Sequence, residues 1–168
     1  MENTFLRLAV YDNTEKDREL TVSYLSAYFV RTDIPVKIHR FYETNGLIDA
    51  FRHDRFTAVF IGMDNMNEVD AAWVIRKLVP DCSLVIMSST GDYSMEGYRL
   101  EAFDYWLKPI SKEKVLETLG RLMAHHTVLH TKDFKGNITQ LSEHDLKSIA
   151  AAGLPPDEQR EKNKRSCV

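Results

Sequence analysis

A small set of side chains able to do chemistry stands just beyond short apolar runs. Asp12 and Asn13 follow Leu6–Tyr11, Gly62 lies at the end of 57–63 with Asp64 just past it, Ser88 follows Leu84–Met87, and Lys108-Pro109 follows Phe103–Leu107. Carboxylate oxygens are hard ligands of the kind Mg²⁺ takes, so Asp12 is a candidate metal ligand, and the amide of Asn13 is a poorer one. A lysine closing a buried strand needs a compensating charge. Asp12 is the expected partner of Lys108, in a structural ion pair at a rim that water reaches, where Lys108→Met is the milder change and Asp12→Ala the harsher. Each residue also has an ordinary role: Asp12 and Asn13 as helix caps, Ser88 as a partner for loop backbone, and Gly62 as a bulge or a close backbone approach. His125, His126 and His130 have no acid or thiol at ligand spacing and follow a helix end, which favours histidine without any metal.

Positioning these residues requires the elements between them. Leu6–Tyr11 reads as a strand, and a helix runs from 14 to 30 with Leu20, Tyr24, Ala27 and Phe29 inward and Asp17, Arg18 and Glu19 wet. Val36–Phe41 is a second strand, Thr44-Asn45-Gly46 a turn, and 47–51 a short helix. The run 57–63 carries apolar residues on both faces, the mark of a parallel strand covered on both sides. Asn65 and Asn67 mark a loop before a helix over 69–78; 84–87 and 103–107 are strands; a helix starts at Gly91, and Ser111 caps another that reaches Met123. Five strand–helix alternations predict a doubly wound five-stranded parallel sheet, an α/β flavodoxin-like architecture, whose strand C-termini share one crevice.

The stretch Ser88 to Pro109 resembles the receivers that precede LytTR DNA-binding domains. It includes Gly91-Asp92-Tyr93-Ser94-Met95-Glu96-Gly97-Tyr98 and Glu101-Ala102-Phe103-Asp104-Tyr105-Trp106-Leu107-Lys108-Pro109. The strand-end residues are similar to the active site of response-regulator receiver domains, and the resemblance covers residues 1–124. It implies two acids after the first strand that hold a divalent metal and an aspartate ending the third that accepts phosphate. It also implies a Ser or Thr after the fourth strand that senses the phosphate, an aromatic residue, here Tyr105, that moves with it, and a Lys before a cis proline that contacts it. Carried onto this sequence, the acceptor position falls on Gly62, which has no side chain to phosphorylate, and Asn13 replaces one acid, so Mg²⁺ binding is weakened and no other cofactor is expected. The loop 63–70 lacks the family's Met-Pro step; an even-numbered slip there preserves strand faces and makes Asp64 the acceptor.

Three functions stay open: an atypical receiver signalling by protein–protein contact without aspartate phosphorylation and not an enzyme, a phosphorylatable receiver using Asp64, and a LytTR-like regulator with a truncated DNA-binding domain. The resemblance implies a partner surface on helix 4, strand 5 and helix 5, with Tyr98, Tyr105 and Trp106 as aromatic anchors; the same face could join two copies.

The whole chain has 168 residues, 43% hydrophobic and 28% charged, enough apolar material for a core without metal or disulfide staples. Its net charge of −3 is too balanced for an electrostatic grip on DNA or membrane. Isolated Cys82 and Cys167 and the lack of a long apolar run lead to the expectation of a cytoplasmic protein. Residues 125–153 are expected to add a short hairpin, with strands at 127–131 and 137–141, which looks like the start of a LytTR domain, followed by a disordered tail over 154–168.

Overall fold

The computed structural model describes residues 5–133, with side chains through residue 126. Strand and helix alternate: β1 (Leu6–Tyr11), α1 (Glu15–Thr32), β2 (Val36–Phe41), α2 (Thr44–His53), β3 (Ala58–Gly62), α3 (Met66–Leu78), β4 (Ser83–Ser88), α4 (Ser94–Arg99), β5 (Asp104–Leu107) and α5 (Lys112–Asp133). The strands form one parallel sheet in the order β2-β1-β3-β4-β5. Every residue of central β3 is buried, as its two-sided apolar composition requires, while edge strand β2 is only half-buried.

The chain divides into two compact units after Lys112. In the first, one sheet face presents Ala9, Tyr11, Val59, Ile61, Leu84 and Ile86 to a core completed by Leu47 and Phe51 of α2 and by Val69, Ala72 and Ile75 of α3. Alternation sends Leu8, Val10, Phe60, Val85 and Met87 to the opposite face. There Thr21 of α1 donates a hydrogen bond to the Met87 sulfur (3.3 Å).

Several elements depart from the sequence expectation. The buried stripe of α1 consists of Arg18, Thr21, Val22, Leu25, Tyr28 and Phe29; Leu20 and Tyr24 are half-buried and Ala27 is exposed. Two polar residues hold inward positions, which masks the true helical period in the sequence. The segment Thr44-Asn45-Gly46 is the first turn of α2, not a turn before it. Helix α3 begins at Met66, because the Asn65 side chain caps it by accepting from the Glu68 N–H (3.0 Å). Helix α4 is shorter than expected and ends before Glu101, which takes a left-handed conformation (φ 54°). Gly97 within α4 allows a close approach: a Cβ there would lie 3.2 Å from both the Tyr105 ring and Ile86, so those side chains would have to shift by a few tenths of an ångström.

The largest correction concerns the second unit. Helix α5 runs to Asp133, through the expected strand at 127–131. The alternation there has period two, but no Gly or Pro stands between Gly120 and Gly136. Extending a formed helix costs far less than nucleating a new element, so the helix continues. The remaining hairpin strand at 137–141 and the tail lie outside the described residues.

Candidate functional site

Parallel register brings the ends of β1, β3, β4 and β5 to one crevice. Tyr11 pairs with Ile61, Gly62 with Met87, and Ser88 with Leu107, so Asp12, Gly62, Ser88 and Lys108 necessarily lie side by side. The Lys108–Pro109 peptide is cis, and the Lys108 N–H donates to the Ser88 carbonyl (2.8 Å), which extends the β4–β5 ladder to the base of the lysine.

The lysine ammonium is the centre of the site. Lys108 Nζ lies 2.9 Å from Asp12 Oδ2, 3.2 Å from Asp17 Oδ2 and 3.1 Å from Asp64 Oδ2, and its side chain is only 8% exposed. Burial alone would lower its pKa, but the hydrogen bond and charge of Asp12, joined by those of Asp64, outweigh this and raise it, so the amine stays protonated. Asp12 is itself buried; its Oδ1 accepts the Thr14 N–H (2.8 Å) at the start of α1, and its carbonyl accepts from Arg18 Nη1 (2.8 Å). The Arg18 guanidinium in turn lies over the Tyr42 ring, 4.2 Å from its centroid. Asp12, expected at a rim that water reaches, is therefore buried, while Asp17 and Asp64 beside it stay partly exposed.

Asp64 lies beyond β3, and the turn after Met63 carries its carboxylate back into the crevice. Its Oδ1 accepts from Ser88 Oγ (3.0 Å) and from the Ser89 N–H (2.8 Å); its Oδ2 accepts from Lys108 Nζ (3.1 Å) and Ser89 Oγ (3.3 Å). Desolvation opposes its charge, but the Ser89 N–H, Lys108 and Ser88 prevail and hold its pKa below the usual aspartate value. No register slip is involved. Gly62 keeps its place opposite Met87, Met63 is fully buried with its N–H on the Met87 carbonyl (2.8 Å), and Asp64 follows.

At Gly62 the crevice is full. A Cβ on this residue would meet Asp12 Oδ2 at 2.6 Å and Asp12 Cγ at 2.8 Å, so no side chain enters without displacing a carboxylate pinned by Lys108 and Thr14. The residues present do not fit a divalent ion. Asp12 has one oxygen on a backbone N–H and the other on Lys108, Asn13 is exposed, and the space among the acids is taken by an ammonium. Among the described residues no group of three or more His, Cys, Asp or Glu is arranged to hold a metal.

Behind Asp64 lies a buried carboxylate. Glu68 Oε1 accepts the Asp64 N–H (2.9 Å), and burial pushes the Glu68 pKa up. Burial and this neighbouring acid raise the Tyr11 phenol as well. Ahead of Asp64, Ser88 Oγ accepts the Thr90 N–H (3.2 Å), and the Thr90 carbonyl accepts from the Tyr105 hydroxyl (2.6 Å). A continuous set of hydrogen bonds thus runs from the crevice to β5.

The structure brings Asp12, Ser88, Lys108 and Asp64 together, places Tyr105 one step away through Thr90, and leaves Asn13 exposed. Sequence reading missed Asp17, Arg18, Ser89, Thr90 and Glu68. Two signals were available: the acids in the first turn of α1, and the Asn65-x-x-Glu68 spacing of a capping box.

No protein-family model and no curated protein sequence matches the chain. Solved structures do. The REC domain of AraT, a response regulator from Geobacillus stearothermophilus, aligns over 76% of this chain and 99% of its own, with TM-score 0.64 and 16% identity. The response regulatory domain of protein mrkE from Klebsiella pneumoniae aligns over 71% and 97%, with TM-score 0.62 and 17% identity. A CheY-like receiver domain protein from Methanospirillum hungatei aligns over 74% and 98%, with TM-score 0.60 and 15% identity. The fold is that of response-regulator receiver domains. Among the described residues no helix is long and apolar enough to cross a membrane.

Proposed function

We propose that this chain is an atypical receiver, a signalling module that works through protein contact and without phosphorylation of an aspartate. The observation that supports this best is the filled crevice. Gly62 offers no nucleophile, and the Asp12 carboxylate occupies the space a side chain there would need. Both Asp64 oxygens accept from the hydroxyl, amide and ammonium donors that an incoming phosphoryl group would require. A carboxylate nucleophile also needs a metal to neutralise the donor's charge, and the three acids here gather on the single ammonium of Lys108 instead.

The partner surface would be α4 with β5. Met95, Tyr98 and Leu107 are exposed there, Tyr98 at 82%, and give the apolar and aromatic contacts that carry interface energy. Trp106 cannot serve as an anchor, since it is 1% exposed and packs on Phe60 (ring centroids 5.4 Å apart), and Tyr105 is half-buried with its hydroxyl committed to Thr90. The resemblance of residues 88–109 to LytTR-type receivers supports descent from that kind of regulator. A DNA-reading role loses ground, because the first strand on which it rested belongs to α5.

Sedimentation velocity across a concentration series tests the contact mode. Self-association weakened by Tyr98→Arg and unchanged by acetyl phosphate with Mg²⁺ is the expected result. A strict monomer that dimerises only when the phosphodonor is added would overturn the proposal.

A further inference from the structure

Asn45 is the only asparagine in the sequence followed by glycine, and the pair lies in the first turn of α2, Thr44-Asn45-Gly46. Both residues are exposed, and a Cβ on Gly46 would meet nothing within 4 Å. No hydrogen bond to a described residue holds the Asn45 side chain or the Gly46 N–H: the bond that opens the helix runs from the Leu47 N–H to the Glu43 carbonyl (3.2 Å), and the N–H groups before it have no carbonyl one turn back. The turn is weakly held in other ways. The Glu43 side chain makes no capping bond, the first turn itself carries no acid to meet the helix dipole, and Thr, Asn and Gly are poor helix formers. Thr44 has only a long, exposed tie to α3, from Asn67 Nδ2 to its Oγ1 (3.4 Å). Asn65, by contrast, precedes Met66 and is fixed by the Glu68 N–H (3.0 Å).

We propose that Asn45-Gly46 is a self-modification site, at which water converts the Asn45 side-chain amide into a carboxylate. A helical backbone keeps the nitrogen of residue 46 out of bonding reach of the preceding side chain, so the reaction waits on opening of this uncapped turn. Once the turn opens, the Gly46 backbone nitrogen gives its proton to solvent base and attacks Asn45 Cγ. The bond from that nitrogen to Cγ forms, the bond from Cγ to the side-chain nitrogen breaks, and the latter takes a proton from water and leaves as ammonia. Water then opens the five-membered cyclic imide at either carbonyl, giving an aspartyl or an isoaspartyl link; the net change is amide plus water to acid plus ammonia. Glycine at 46 serves this step because no Cβ screens its nitrogen and its backbone turns freely. The two products act differently on α2. An aspartate places negative charge where the helix dipole favours it. An isoaspartyl link carries the main chain through Cγ, so the Leu47 N–H no longer meets the Glu43 carbonyl and the first turn is lost. Either product makes the chain one charge more negative than −3, at the junction that also carries Tyr42, the ring over the Arg18 guanidinium. The conversion needs neither a phosphodonor nor a partner, so it goes beyond the proposed function and does not rest on it.

The test follows the full chain over days in heavy-oxygen water, in mildly acidic and in mildly alkaline buffer, by ion exchange and by peptide mapping that separates aspartyl from isoaspartyl peptides. Wild type should acquire a more acidic form with heavy oxygen in a new carboxyl at residue 45, present as both aspartyl and isoaspartyl peptides. The alkaline sample should convert faster, because the Gly46 nitrogen must lose its proton. Gly46→Ala should slow the conversion at least about fivefold, the factor by which alanine favours the helical turn over glycine. Glu43→Ser, which supplies a capping acceptor and leaves Asn45 and Gly46 in place, should slow it several-fold. Asn45 still intact at the end of the alkaline incubation, a product with no isoaspartyl form, or a rate unchanged by either substitution would overturn the inference. The mass change is far smaller than that of a phosphoryl group, so the two modifications are read apart.

Discussion

Replacing Lys108 by Met tests the crevice electrostatics most sharply. The substitution keeps an apolar stem of similar length and removes the one ammonium that Asp12, Asp17 and Asp64 share. Since all three oxygens touch a single Nζ, they lie within about 6 Å of one another, and at an effective dielectric constant of about 20 two such like charges repel by about 3 kcal/mol. Water reaching Asp17 and Asp64 reduces that repulsion, while Asp12, 2% exposed, is left as a buried unpaired charge. The net loss is expected at about 3 kcal/mol, the lower end of what breaking a buried pair costs, or roughly 10 °C in Tm. Asp12→Ala should lose only about 1–2 kcal/mol, mainly the Thr14 N–H acceptor, because Lys108 keeps Asp17 and Asp64. Urea unfolding at pH 7 measures both. Equal losses, or a larger loss for Asp12→Ala, would refute this account of the crevice.

Further outcomes follow from other contacts. Gly62→Ala places a methyl 2.6 Å from Asp12 Oδ2 and should cost about 1–3 kcal/mol by chemical denaturation, with Gly62→Asp worse because it adds a fourth acid; a neutral Gly62→Ala would show that Asp12 moves freely. Glu68 has a folded-state pKa above its unfolded value, so the unfolded chain loses the proton first. Its contribution is complete below the unfolded value and fades as pH rises through the raised one. The Tm of Glu68→Gln relative to wild type should therefore climb between pH 4 and pH 7, and a pH-independent difference would contradict the raised pKa. Arg76 donates to the carbonyls of Leu100 (2.8 Å), Pro80 (2.8 Å) and Cys82 (2.7 Å), joining α3 to the turn before β4 and to the end of α4. Arg76→Ala should cost about 2–3 kcal/mol in a urea melt, and Arg76→Lys, lacking the planar fork, should recover little of it.

The alternation of elements was plain in the sequence because buried parallel strands are apolar on both faces, and β2 was placed to the residue. The Lys108–Asp12 contact was legible for a related reason: a lysine closing a buried strand leaves few places for its charge. Whether the rim was wet was not legible. That depends on Arg18 folding inward to the Asp12 carbonyl, and a lone arginine on a helix looks like a solvent residue until its acceptor is known. By strand periodicity alone, Asp64 is reachable as an acceptor only through a register slip. The structure reaches it by a turn, which β-periodicity does not encode but the Asn65-to-Glu68 capping pattern does. The expected strand at 127–131 failed because a short stretch of alternating residues cannot signal against continuation of a helix already formed.

Intact mass spectrometry of the wild-type chain after incubation with acetyl phosphate and Mg²⁺ tests the central claim most directly. With Gly62 lacking a nucleophile, both Asp64 oxygens engaged and the crevice acids gathered on Lys108, the mass should not change. A stoichiometric phosphoryl adduct that disappears in Asp64→Asn would contradict the account and make Asp64 the acceptor of a working receiver.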